Sequence, residues 1–200
     1  MKIGILGGTY DPVHNGHLEI AGEVKSDPGL NRIIFIPARQ SPFKAEYTVT
    51  PAESRLEMLR LAVASRPDYE VSTIEIERPG ISYTVDTISE LKKQYGESDE
   101  LYFILGWDTL AGFGEWRKPE VIIEKCRIVA VPRPDCVKPD LARLETKVPG
   151  IASRVIFTEG PLVDISSTDI RDRAAHGQTI NHLLPTDVAE YIKKHHLYQK

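Results

Sequence analysis

A glycine pair set between an apolar run and a histidine-bearing helix start limits what this chain can become more than any other stretch. Lys2-Ile3-Gly4-Ile5-Leu6 reads as a buried strand. Gly7-Gly8-Thr9-Tyr10-Asp11-Pro12-Val13-His14-Asn15-Gly16-His17 follows, and Leu18-Glu19-Ile20-Ala21-Gly22-Glu23-Val24 reads as helix. The stretch therefore sits where a strand turns into a helix. Adjacent glycines let a backbone approach a ligand, because no Cβ stands between. A helix beginning near Asn15 or Gly16 leaves its first N–H groups without intrahelical partners, and these attract anions. His14 and His17, three apart, share a face on a first helical turn. An anion site with two imidazoles aimed into it suits phosphate chemistry. Two commoner phosphate-binding patterns are excluded by spacing. No Gly-Lys-Ser/Thr follows the loop as in a Walker motif, and Gly4, Gly7 and Gly8 lack the intervals of G-x-G-x-x-G. The two histidines also lack the H-E-x-x-H spacing of a zinc helix, and no protein metal ligand is expected.

The rest of the chain alternates strand and helix. Arg32-Ile33-Ile34-Phe35-Ile36 is a second buried strand stopped by Pro37, so the opening is a βαβ unit with parallel strands and a right-handed crossover. Thr50-Pro51-Ala52-Glu53 reads as a capping box with proline at the first helical position, before a helix carrying Leu56, Leu59, Ala62 and Val63. Tyr69 to Ile76 alternates and reads as strand. A helix is expected from Val85 to about Tyr95, and strands over Leu101–Leu105, Arg127–Val131 and Arg154–Phe157. Helices fill 120–125 and 140–147, and a last one, about Thr186 to His195, turns Val188, Tyr191 and Ile192 inward as a lid on the sheet. His195 and His196 read as solvated. The architecture predicted is α/β, Rossmann-like: a central parallel sheet, helices on both faces, and a small C-terminal helical portion of about 165–200 within one domain of 1–200.

In such a sheet, loops after the carboxyl ends of strands line the ligand crevice. That rule singles out Lys44 after the second strand, Gly106 and Asp108 after Leu101–Leu105, and Arg133 after Arg127–Val131. Gly106 permits close approach, and Arg133 can grip a phosphate with two donors. Asp108 either accepts from ribose hydroxyls or caps the short helix at Thr109. Thr84 either caps its helix or lends a hydroxyl to a ligand. Trp116 either covers the edge of the core or offers a flat face to an aromatic ligand. Near the far end, Ile165-Ser166-Ser167-Thr168-Asp169-Ile170-Arg171 carries three hydroxyls into a helix start. One must cap it; the others, with the exposed N–H groups and Arg171 one turn on, make a second anion cradle.

A net charge of −4 excludes a general basic footprint, so no nucleic-acid partner is expected and any positive field must be local. No apolar run approaches membrane-spanning length. The first strand starts at Lys2 and leaves no room for a signal peptide. Cys126 and Cys136 are too far apart for a C-x-x-C pair and fit a reducing compartment, so the expected location is the cytoplasm.

Gly-Gly-Thr-Tyr-Asp-Pro-Val-His-Asn-Gly-His resembles the signature of the nucleotidylyltransferase superfamily. Ser82-Tyr83-Thr84, Gly106-Trp107-Asp108 and the Ser166-to-Arg171 segment fall in the order of its bacterial nicotinate-nucleotide adenylyltransferase branch. The resemblance covers nearly the whole chain. It implies adenylyl transfer from ATP to nicotinate mononucleotide, giving deamido-NAD and pyrophosphate, with Mg²⁺ bound mainly through ATP phosphates. It assigns catalysis to His14 and His17, and ATP binding to Gly7, Gly8, Thr9, Tyr10, Lys44, Ser166, Ser167, Thr168 and Arg171. Thr84 is implied to meet the pyridine carboxylate and Trp116 the nicotinate ring, with Gly106, Asp108 and Arg133 completing the mononucleotide site. The family usually has His-Lys where this chain has Phe43-Lys44, so a cation is kept and one hydrogen bond is lost. Pantetheine-phosphate adenylyltransferase shares both end motifs, and a non-catalytic nucleotide-binding domain on the same fold is a reading from another class. A homo-oligomer is left open.

Overall fold

The computed structural model describes residues 1–42, 49–96 and 98–199. Its elements alternate from the first residue. β1 (Lys2–Gly8) leads through the glycine-histidine loop to α1 (Asn15–Ser26), then β2 (Arg32–Pro37), α2 (Ala52–Val63), β3 (Tyr69–Val71), α3 (Ile74–Glu77) and α4 (Thr84–Tyr95). The second half runs β4 (Glu100–Gly106), α5 (Trp107–Ala111), α6 (Pro119–Lys125), β5 (Cys126–Val131), α7 (Leu141–Lys147), β6 (Val155–Phe157), α8 (Ser167–Ala175) and α9 (Thr186–Lys194).

The strands form one six-stranded sheet in the order β3-β2-β1-β4-β5-β6, and every pairing is parallel. Parallel strands buried on both faces must be apolar along their length, as β1, β2, β4 and β5 are beyond the charged residue near the start of each. Alternate side chains then feed two cores. Ile33, Phe35, Tyr102, Ile104, Val129 and Val131 pack with α1, α2, α8 and α9. Ile34, Ile36, Leu101, Phe103, Leu105, Ile128 and Ala130 pack with α4, α5, α6 and α7. The chain reverses its direction of travel across the sheet between β1 and β4. A crevice therefore opens at the carboxyl ends of those two strands, where ligands bind in open α/β sheets.

Three local expectations are corrected. Residues 73–76 leave the sheet: β3 stops at Val71 and Ile74–Glu77 form a helical turn closed by Glu77 N–H on Thr73 C=O at 2.9 Å. The turn buries the Glu75 carboxylate against the Thr87 hydroxyl, which donates to it at 2.6 Å; a strand would not aim it there. No capping box forms at Thr50. Pro51 is the N-cap and Ala52 the first helical residue, because the Thr50 backbone is engaged elsewhere: its N–H with Asp11 and its C=O with Arg55. The helix expected over 140–147 starts at Leu141, with Asp140 outside it as the N-cap, while α9 packs Val188 and Ile192 into the core that α2 shares with the sheet.

Candidate active site

His14 is the N-cap of α1, in extended conformation, and His17 is the third helical residue. The cap sets the geometry of both rings. His14 N–H donates to His17 Nδ1 at 3.2 Å, so His17 carries its own ring N–H at Nε2. The reverse contact has the arrangement of a capping box but falls short of a hydrogen bond. His17 N–H reaches the His14 carbonyl at 3.0 Å instead, and His14 Nδ1 is buried with no hydrogen-bond partner among the described residues. The two ring centroids are 3.7 Å apart at 31°. Burial first, and the Arg133 charge second, hold His14 down at about 4, so it is a neutral imidazole at physiological pH. A neutral ring can lie flat against its neighbour where two cations would repel. Gly16 makes the packing possible: a Cβ there would meet Val163 Cγ1 at 2.3 Å and the His14 ring at 3.1 and 3.3 Å.

The far end of the chain closes on this loop. Ser167 Oγ donates to the Pro12 carbonyl at 2.9 Å, and Arg171 Nη1 donates to the Asp11 carbonyl at 2.7 Å. Asn15 Nδ2 reaches the His182 carbonyl at 3.3 Å. The three hydroxyls divide their work. Ser166 caps α8 by accepting from Asp169 N–H at 3.1 Å, Ser167 holds the loop, and Thr168 Oγ1 accepts from Arg171 Nη2 at 3.2 Å. Ser167 and Arg171 thus tie the start of α8 to the loop before α1.

Within the glycine loop, Thr9 is half-buried and its carbonyl accepts from Arg55. The Tyr10 side chain points into the core. It is 2% exposed, its phenol donates to the Leu6 carbonyl, and its ring fills the space a Cβ on Gly8 would take, at 3.1 Å. Among the described residues, a Cβ on Gly7 would meet nothing nearer than Phe103 at 3.7 Å, and none of them demands glycine there. Lys44 and Phe43 lie outside the described residues.

The groups expected around a mononucleotide gather across the β4 and β5 ends. Gly106 caps α5, so the cap reading of Asp108 gives way: Asp108 faces Arg133, with Oδ1 to Nε at 3.5 Å. Both side chains lie over Gly106, where a Cβ would meet Oδ1 at 2.3 Å and Nε at 2.9 Å. Trp116 is half-buried, its ring 6.0 Å from Phe103 and 5.1 Å from Phe113. Arg117 beside it lies 4.5 Å over the Tyr83 ring, which draws the Thr84 turn towards the tryptophan loop. Thr84 is the first residue of α4 and not its cap; that place is Tyr83. The turn is braced from below, since Ser82 N–H donates to the Gln40 carbonyl at 2.9 Å and Arg78 holds Thr87 Oγ1 at 2.7 Å.

With this geometry in place, comparison with known proteins is decisive. Residues 5–173 match the cytidylyltransferase-like family. A probable nicotinate-nucleotide adenylyltransferase of Dehalococcoides mccartyi is 50% identical over 198 residues, 99% of this chain and 97% of that one. The chain belongs to this family. A probable nicotinate-nucleotide adenylyltransferase of Roseiflexus sp. is 48% identical, covering 98% of both chains. The fold of this adenylyltransferase family member matches that of Plasmodium falciparum nicotinic acid mononucleotide adenylyltransferase complexed with NaAD. There the TM-score is 0.77 at 20% identity, over 98% of this chain and 97% of that one.

Sequence reasoning passed over Arg55, Asp11 and Tyr198. Arg55 is 2% exposed and donates to the Thr9 carbonyl at 2.6 Å and the Thr50 carbonyl at 2.9 Å. One signal was available. Arg55 lies three and four residues before Met58 and Leu59, on the buried stripe of α2, and a cation on such a stripe has to be hydrogen-bonded.

Proposed function

We propose that this adenylyltransferase moves AMP from ATP to nicotinate mononucleotide, releasing pyrophosphate and forming deamido-NAD for NAD biosynthesis. The observation that carries the reading is the imidazole pair. His14 and His17 lie face to face, tilted by 31°, at the N-terminus of α1, against the loop that Ser167 and Arg171 clamp. The attacking phosphate oxygen is already anionic at neutral pH and needs no base, and no protein nucleophile is required. Such a reaction asks for alignment and for donors where charge develops on the α-phosphate and leaving group. His17, with its proton on Nε2, and neutral His14 are donors of that kind. Gly7, Gly8 and Thr9 would lie along the polyphosphate, and the N-terminal N–H groups of α8 with Ser167, Thr168 and Arg171 would complete its cradle. Lys44 belongs to the same proposal.

Asp108 and Arg133 hold each other until substrate enters. The mononucleotide phosphate would then take Arg133, and its ribose would take Asp108. Trp116 would stack on the pyridine ring, and the α4 start with Thr84 would meet its carboxylate. The carboxylates near the reacting centre already have donors, Tyr198 and Thr50 on Asp11 and Arg133 on Asp108. Mg²⁺ is therefore proposed to ride on the ATP phosphates, where it neutralises the departing pyrophosphate. We place the protein in the cytoplasm, where Cys126 and Cys136 stay as free thiols. Among the described residues no helix is long and apolar enough to cross a membrane.

The test is pyrophosphate release from ATP and Mg²⁺ with nicotinate mononucleotide, nicotinamide mononucleotide or phosphopantetheine. Release with the first is expected. Release with phosphopantetheine alone would shift the substrate, and release with none would leave a binding domain.

A further inference from the structure

The loop that carries His14 is gripped from beneath by the last residues of the chain. Tyr198 donates its phenol to Asp11 Oδ1 at 2.6 Å, across 187 residues of sequence. Asp11 is 5% exposed, and its other oxygen, Oδ2, accepts from Thr50 N–H at 3.2 Å. Its carbonyl takes Arg171, and the neighbouring Thr9 and Pro12 carbonyls take Arg55 and Ser167. Every hydrogen bond just named to residues 9–12 comes from a distant segment, and Tyr198 is the donor nearest the chain end.

The local backbone is shaped to deliver it. α9 stops at Lys194, His196 and Tyr198 both take positive φ (51° and 62°), and Leu197 N–H turns back to the Ile192 carbonyl at 3.0 Å. Non-glycine residues adopt that conformation at a cost, and two within three residues need a compensating contact. Leu197 and Tyr198 obtain it by packing on the core that holds α1, α2 and α9. Burial, then the nearby Asp11 charge, keep the phenol well above its ordinary range, so it remains a donor at any working pH.

We propose that Tyr198 is a positioning residue for adenylyl transfer: through Asp11 it fixes the loop between β1 and α1, and with it the placement of the His14 ring. The inference rests on the function proposed above. Tyr198 touches no reacting group. It removes one degree of freedom from a loop whose small displacement would misalign in-line attack, and losses near a hundredfold follow from about 1 Å of misplacement.

Tyr198→Phe keeps the ring and its packing and deletes the hydroxyl, with its donation to Asp11 and its bond with the Thr50 side chain. Expected is a fall in kcat of about tenfold or more, with KM for ATP and for nicotinate mononucleotide within about twofold of wild type. Asp11→Ala removes the acceptor and gives the same test from the partner side, and should Tyr198→Phe fail to fold it carries the test alone. The double variant is expected to lose no more than the worse single one, because both break one link. A purely structural role would lower Tm and leave kcat of the folded enzyme unchanged. That result, or a rise in KM for ATP at constant kcat, or losses that multiply in the double variant, overturns the proposal. Wild-type pyrophosphate release with nicotinate mononucleotide is measured alongside; its absence would remove the function proposed and is distinct from an unaffected Tyr198→Phe.

Discussion

Gly16→Ala sets local helix preference against the packing of the His14–His17 pair. Gly16 is the second residue of α1, and alanine there favours helix by about 0.8–1.0 kcal/mol over glycine. The added Cβ would stand 2.3 Å from Val163 Cγ1 and 3.1 Å from His14 Nδ1. Carbon atoms at rest are ~3.5–4.0 Å apart, so Val163 must retreat by more than ~1 Å and the imidazole by a few tenths. Val163 is half-buried at the end of a side chain and can move; overpacking of this kind costs ~1–3 kcal/mol. The two terms leave a net change of ~0–2 kcal/mol, or a Tm lowered by no more than ~8 °C in a chain of this length. Activity should suffer more. His14 is pressed a few tenths of an ångström towards His17, much of the ~0.5 Å that productive geometry tolerates, so kcat is expected to fall severalfold, up to about tenfold. Thermal unfolding by circular dichroism and steady-state pyrophosphate release measure the two quantities on one sample. Wild-type kcat in Gly16→Ala would refute the reasoning, since it would mean that the His14 ring does not depend on the bare Cα beneath it.

Three further perturbations test other parts of the site. His14 sits at about 4 in the folded protein against 6.5 in the unfolded chain, so the unfolded state binds more protons between those values. Stability should be complete above pH 6.5 and fall as pH drops towards 4, by at most ~3 kcal/mol from this residue; urea titrations of wild type and His14→Gln across that window should differ in slope. Arg55→Met leaves the Thr9 and Thr50 carbonyls without donors, and at ~1–3 kcal/mol each the loss should appear as a clear drop in Tm. Trp116→Leu keeps apolar bulk over Phe103 and removes the flat face, so KM for nicotinate mononucleotide should rise by up to about tenfold, the equivalent of an aromatic pair, while KM for ATP holds within about twofold.

Much of the fold was readable because it is written in periodicity. Continuous apolar runs ending at Pro37 and at Gly106 marked central parallel strands, and the crossover rule then put Gly7, Gly106 and Arg133 at one edge. The helix expected over 140–147 was equally local, though it starts at Leu141 with Asp140 as its cap, the carboxylate accepting from Ala142 and Arg143 N–H. Errors came where a local pattern met a distant partner. Tyr69 to Ile76 alternates, yet Glu75 turns inward because Thr87, twelve residues on, offers its hydroxyl. Thr50 begins a good capping box, yet Asp11 and Arg55 claim its backbone.

The amino-acid order by itself determined the strand-to-helix turn, the pairing of His14 with His17 on one face, and the cradle-forming chemistry at both ends of the chain. These depend on neighbours within a turn or a strand. Tertiary structure alone decided what each polar group does there. It made Ser167 and Arg171 clamps on a loop about 155–160 residues away, buried Tyr10, and joined Tyr198 to Asp11. A hydroxyl or guanidinium bonds whatever the fold brings within about 3 Å, and no local spacing encodes that distance.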